Sequence, residues 1–183
     1  MKRALLLALT LLISASARAE AVWYDYRNWT VIVETVDTGE DLRVTCTART
    51  GGDGLPTLKL EVSNGDALPP GYYPEVALEE SAIRGYPTVM NETMTVYFET
   101  DSGWKSDAGV AAWRDDEGFA HARAVIFGGS AANLALLREM RQAGKLWVTS
   151  DGEVIHAASL AGFTAAYGKV AEQCGFSAAD VTG

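Results

Sequence analysis

The sequence predicts a mainly β protein, an antiparallel β-sandwich or curled sheet with two late α-helices. Three observations predict it. Over the first two-thirds of the chain, apolar and polar residues alternate in short runs, the period of a strand with one buried face. Clusters rich in Gly, Pro, Asp and Asn separate those runs, as turns require. Apolar residues recur at steps of three and four only in the last third, and they do so twice.

Taken in order, Trp29 to Val36 is rich in β-branched residues and reads as the first strand, with Trp23-Tyr24-Asp25-Tyr26 ahead of it. Val36 to Asp41 is a turn into Leu42 to Arg49, where Leu42, Val44, Cys46 and Ala48 share the inward face. Gly51 to Gly54 is a loop by composition, and Thr57 to Ser63 alternates with Leu58, Leu60 and Val62 inward. Gly65 to Pro74 contains Pro69-Pro70-Gly71 and is irregular, because proline interrupts ladder and helix alike. A shorter strand is expected around Glu75 to Glu79, and Thr93 to Thr100 alternates again through Met94, Val96 and Phe98. Val110 to Trp113 and Phe119 to Phe127 form a hairpin around Arg114 to Gly118. Ser130 then caps a helix striped by Ala131, Leu134, Leu137 and Met140 and ended by Gly144. Lys145 to Thr149 and Val154 to Ala158 make a second hairpin, and Ser159 caps the closing helix.

Ahead of this pattern, Lys2 and Arg3 precede an apolar run from Ala4 to Ile13, and Ala17-Arg18-Ala19 supplies a small-x-small site. Residues 1–19 therefore read as a secretory signal peptide cleaved between Ala19 and Glu20, and 20–183 as a single β-rich domain. The run falls well short of the roughly 20 apolar residues that span hydrocarbon, so no stable membrane insertion is expected after cleavage. The whole chain of 183 residues has 15 Lys and Arg against 24 Asp and Glu, a net charge of −9. Removing Lys2, Arg3 and Arg18 without any acid takes it to −12. That sign disfavours nucleic acid and anionic membrane surfaces as partners.

Cys46 and Cys174 are the only cysteines. Leu160, Phe163, Tyr167, Val170 and Cys174 form one helical stripe, so Cys174 faces inward as Cys46 does. An even count in an exported chain then predicts a Cys46–Cys174 disulfide. The chain-entropy model assigns about 5 kcal/mol to a loop of this length.

Arrays that name a reaction are missing. Gly128-Gly129-Ser130-Ala131-Ala132 lacks the last glycine of a nucleophile elbow, and Ser130 is better explained as a helix cap. His121 and His156 are the only histidines and lie in no zinc-binding spacing. His121 shares a strand face with Phe119, Arg123, Val125 and Phe127, but the sequence names neither an orienting acid nor a nucleophile for it. Asp115, Asp116 and Glu117, and the pair Asp101 and Asp107, are the acids that could hold a hard cation, without the spacing of a calcium loop. No cofactor and no metal are expected. Trp23, Trp104, Trp113 and Trp147 are candidates for a binding surface or for a second packed layer.

The order of an early Cys-bearing strand, Gly128-Gly129-Ser130-Ala131, a Leu/Met helix, Lys145-Leu146-Trp147-Val148 and a closing Cys-bearing helix is similar to the type VI secretion-associated accessory proteins called VasI or TagO. Ser159-Leu160-Ala161-Gly162-Phe163-Thr164-Ala165-Ala166 resembles the closing helix of invasion-associated locus B proteins. The chain lacks the mid-chain cysteines usual in the latter, and the Arg-x-Asp that the former tend to carry on the central strand. The resemblance implies an exported, non-catalytic protein of the bacterial envelope, periplasmic or secreted, and transfers no catalytic residue.

The expected function is that of an accessory protein that binds a protein or an envelope component. The alternatives are a small periplasmic hydrolase using His121 or His156, and an inhibitor or ligand carrier using the loop from Gly65 to Pro74.

Overall fold

Alternation decides which side of each strand is buried, and the buried sides all belong to one sheet. The computed structural model describes residues 18–52 and 56–183. Among them β1 (Arg18–Tyr26), β2 (Trp29–Asp37), β3 (Leu42–Gly51), β4 (Thr57–Ser63) and β5 (Val76–Ser81) form one half of the sheet. The other half is β6 (Val96–Thr100), β7 (Lys105–Arg114), β8 (Ala120–Ile126), β9 (Lys145–Ser150) and β10 (Glu153–Ser159). The spatial order is β1-β2-β3-β4-β5-β8-β7-β6-β9-β10, antiparallel at every ladder.

Among the described residues three helices, α1 (Gly129–Gln142), α2 (Phe163–Cys174) and α3 (Ala179–Thr182), accompany this sheet. The core-facing residues include Trp29, Val31, Cys46, Leu58, Leu60, Leu78, Phe98, Ala122, Ala124, Leu146 and Val148. All five residues of the predicted closing stripe are buried, Leu160 just ahead of α2 and Phe163, Tyr167, Val170 and Cys174 within it. Trp29 meets Phe163 edge-on at 5.2 Å, and burial of each such side chain stabilises by about 1.5–3 kcal/mol.

The sheet curls without closing into a barrel. Its first and last hairpins meet where α2 begins: the Trp29 indole donates to the Ser159 carbonyl at 3.0 Å, and the Asn28 amide to the Ala161 carbonyl at 3.2 Å. Gly162 makes this meeting geometrically possible. Its φ is +103°, and a Cβ there would stand 1.8 Å from the Tyr26 carbonyl oxygen, so only glycine fits.

Cys46 and Cys174 are joined with a Cα–Cα distance of 6.2 Å and a sequence separation of 128, tying α2 to β3. The bridge fits an oxidising compartment. No helix of the described residues is long and apolar enough to cross a membrane. Of the predicted signal segment only Arg18 and Ala19 lie within the described residues; they pair with Asp37 and Val36 at one end of the β1–β2 ladder.

Several local expectations need correction. Ser130 is not the cap of α1: Gly128, at φ 104°, makes the turn, the helix begins at Gly129, and no side chain caps it. The buried stripe of α1 is Asn133, Leu136, Leu137 and Met140, while Ala131 is exposed and Leu134 half-buried. An extended Ala143, rather than Gly144, ends that helix. Ser159 stays in β10, because Gly162 caps α2 three residues later. β1 and α3 are additional to the predicted elements. β1 has little burial to betray it, since only Tyr24 and Tyr26 are even half-buried.

Candidate functional site on the outer face of the sheet

With the helices on one side, the opposite face of β3, β4, β5 and β8 is left to polar residues. Lys59 on β4 reaches Glu79 at 3.1 Å and Glu61 at 3.6 Å. Arg123 on β8 reaches Glu75 at 3.0 Å and Glu79 at 3.3 Å. Register explains the ladder, because Glu79 stands directly opposite Arg123 and one ladder step from Lys59. Half-exposed pairs of this kind contribute at most about 1 kcal/mol each. Their effect here is to fix where charge is presented.

These pairs floor a cleft of about 530 Å³. Its wall is the irregular segment that sequence composition marks as Gly65 to Pro74, which contributes Asp66, Ala67, Tyr72 and Pro74. Four acids, Glu61, Asp66, Glu75 and Glu79, face two bases, Lys59 and Arg123, across it.

That wall is held from behind at one residue. The Tyr73 amide donates to Ser130 Oγ at 2.9 Å, and the Asn133 side-chain amide donates to the Tyr73 carbonyl at 3.0 Å. The Tyr73 hydroxyl donates to the Asp180 carboxylate, which pushes the phenol pKa up. Asn133 is 1% exposed, so its bond is made in the core. Ser130 thus serves the loop rather than its own helix.

Further along the same face, three residues form a row across β5, β8 and β7. Ser81 is paired with His121, and His121 with Trp113. Ser81 Oγ lies 2.9 Å from His121 Nδ1, and Asp115 Oδ2 lies 3.0 Å from His121 Nε2. Trp113 stacks on the imidazole at 5.4 Å between ring centres. Asp115 also accepts the amides of Glu117 and Phe119 in the hairpin turn. Its hydrogen bond with His121, followed by that from Phe119, holds the carboxyl below the usual range.

The orienting acid and the hydroxyl that the sequence could not name are therefore Asp115 and Ser81. They are 34 residues apart in sequence, brought together by strand register. No local motif signals such a row. The only available hint is that Asp115 falls in the turn leading into the His121 strand.

The other candidates disperse. His156 is buried at 8% exposure, and its Nε2 has no partner among the described residues. Burial holds that imidazole below its ordinary pKa. Asp101 accepts the Gly144 amide at 2.9 Å. Asp116 and Glu117 are exposed in the β7–β8 turn. No group of three or more His, Cys, Asp or Glu is placed to hold a metal among the described residues. Trp147 is half-buried, opposite in direction to buried Leu146 and Val148, while Trp23 is exposed beneath the Arg49 guanidinium at 5.4 Å.

Fold and face together define a class: an antiparallel β protein whose single curled sheet holds helices on one side and offers a charged cleft on the other. Comparison with protein-family models, curated proteins and solved structures finds no match to this chain.

Proposed function

We propose that the protein is an exported accessory protein of the bacterial envelope that binds a cationic segment of a partner protein in the cleft between β4, β5 and the 65–74 loop. The observation that carries this reading is the cleft itself, with acids outnumbering bases four to two and Tyr72, 40% exposed, on its wall. Complementary charge steers such a segment in, and the aromatic supplies apolar contact. The anchoring of Tyr73 at three groups lowers the ordering cost of binding, since the wall is already shaped. Export is supported by the leader-like residues 1–19, and the bridge is in keeping with it. The resemblance to secretion- and invasion-associated envelope proteins points the same way.

The test is affinity capture from an envelope extract by the 20–183 protein, run beside a Tyr72→Ala/Glu75→Lys variant with an unchanged melting curve. A partner held by the first and lost by the second, and weakened by added salt, is the expected result. Retention of the same partners by both proteins, or of none by the folded wild type, refutes the cleft as the binding site.

A further inference from the structure

We propose that Ser81, His121 and Asp115 form a nucleophilic site that hydrolyses small carboxylic esters, an activity separate from binding in the 65–74 cleft. An ionised Asp115 can only accept a hydrogen bond, so His121 Nε2 carries the proton directed at it. In the neutral ring Nδ1 is then the acceptor, and the Ser81 hydroxyl 2.9 Å away donates to it. This is the arrangement a serine nucleophile needs: a base in contact, and a third group fixing the base's tautomer and orientation. Local order supports it. Asp115 is held by two turn amides, and Trp113 packs flat on the imidazole, so neither group is free to swing.

Ser81 is also the group that opens on space. A cleft of about 320 Å³ adjoins it, with Ile32, Thr47, Thr57, Arg49, Lys59 and Glu79 on its walls, room for a short, small acyl group. Half-exposed Trp113, together with exposed Ile83 and Tyr86 in the segment that follows Ser81, offers apolar surface for the alcohol part.

In the reaction Ser81 Oγ adds to the ester carbonyl while its proton passes to His121 Nδ1. The tetrahedral adduct collapses, the C–O bond to the alcohol breaks, and the leaving oxygen takes the proton from Nδ1. Water then adds to the acyl carbon with its proton going to Nδ1, and Ser81 Oγ leaves and recovers it. Ser81 and His121 are catalytic residues here, and Asp115 is a positioning residue. General-base assistance of this kind contributes roughly 10²–10⁴-fold.

Two probes test the proposal on the full-length protein: a fluorophosphonate, with the adduct mapped by mass spectrometry, and p-nitrophenyl butyrate. A one-to-one adduct on Ser81 is expected, and turnover that Ser81→Ala abolishes while near-ultraviolet circular dichroism stays unchanged. Asp115→Asn is expected to lower kcat by about tenfold or more with KM little altered, since the acid acts through the imidazole. A folded wild type that gives no Ser81 adduct, or a Ser81→Ala variant that hydrolyses the ester as fast, overturns the assignment. An Asp115→Asn variant that changes only KM removes Asp115 from it.

Discussion

Replacing both bridged cysteines by alanine isolates what the Cys46–Cys174 link contributes. The bridge closes a separation of 128 residues, for which the chain-entropy relation gives about 17 cal/mol/K of restricted unfolded-state entropy, or about 5 kcal/mol at 25 °C. The sulfurs occupy buried positions, at 0% and 3% exposure, so alanine also removes a little packing but strands no polar atom. The double variant should therefore lose about 4–5 kcal/mol, and reduced wild type should fall close to it. For a chain of this size, with a urea slope of about 2 kcal/mol/M, the midpoint should drop by about 2 M. Urea melts of oxidised wild type, reduced wild type and the double variant at one pH make the measurement. A drop under about 0.5 M for the double variant would mean that the unfolded chain is not loosened by losing the link, and the entropic reasoning would be wrong.

Gly162→Ala should cost about 2–4 kcal/mol by thermal melting, because a φ of +103° and the 1.8 Å approach to the Tyr26 carbonyl leave no place for a Cβ. Ser130→Ala should cost about 1–3 kcal/mol by orphaning the Tyr73 amide. Hydrogen exchange should then speed up at Tyr73 and not in the first turn of α1; the reverse pattern would restore Ser130 as a helix cap. His156 is held below its ordinary 6.5 by burial, so the unfolded chain takes up the proton first. Its contribution to stability is complete above 6.5 and falls as the pH drops below that value, by at most about 1.4 kcal/mol per pH unit. Urea midpoints between pH 7.5 and 5 should decline less steeply for His156→Leu than for wild type, and equal slopes would sink the idea.

The parts of the fold legible in the sequence are those where periodicity and burial coincide. Leu58, Leu60 and Val62 announce β4, and the stripe ending at Cys174 announces α2, because one buried face per element imprints its period on the chain. The bridge follows from the same logic, since two inward cysteines in one core have little choice of neighbour. Elements without that imprint were hidden. β1 is mostly exposed and paired on one side only, and the first half of β7 is polar or small, so neither alternates. Capping failed for a different reason. Ser130 and Ser159 have the side chains that helix caps favour, yet Gly128 and Gly162 sit at φ values above +100° and make the turns with backbone alone. Those serines then bind Tyr73 and Asn28, distant partners that no local pattern names.

The same distinction explains why the outer face was unreadable. An antiparallel sheet places residues from distant parts of the sequence side by side, and the pairing that aligns Ser81, His121 and Trp113 depends on the register of two ladders. A single-residue slip of β5 against β8 would turn Ser81 to the core side and break the row. Register is fixed from the other face, where Leu78, Ala122 and Ala124 are fully buried and cannot exchange places with charged neighbours. The apolar side of the sheet therefore dictates the geometry of the polar side. Substitutions such as Ala122→Ser or Leu78→Asn, which weaken that constraint without touching the row, should loosen the Ser81–His121 contact as well as the core.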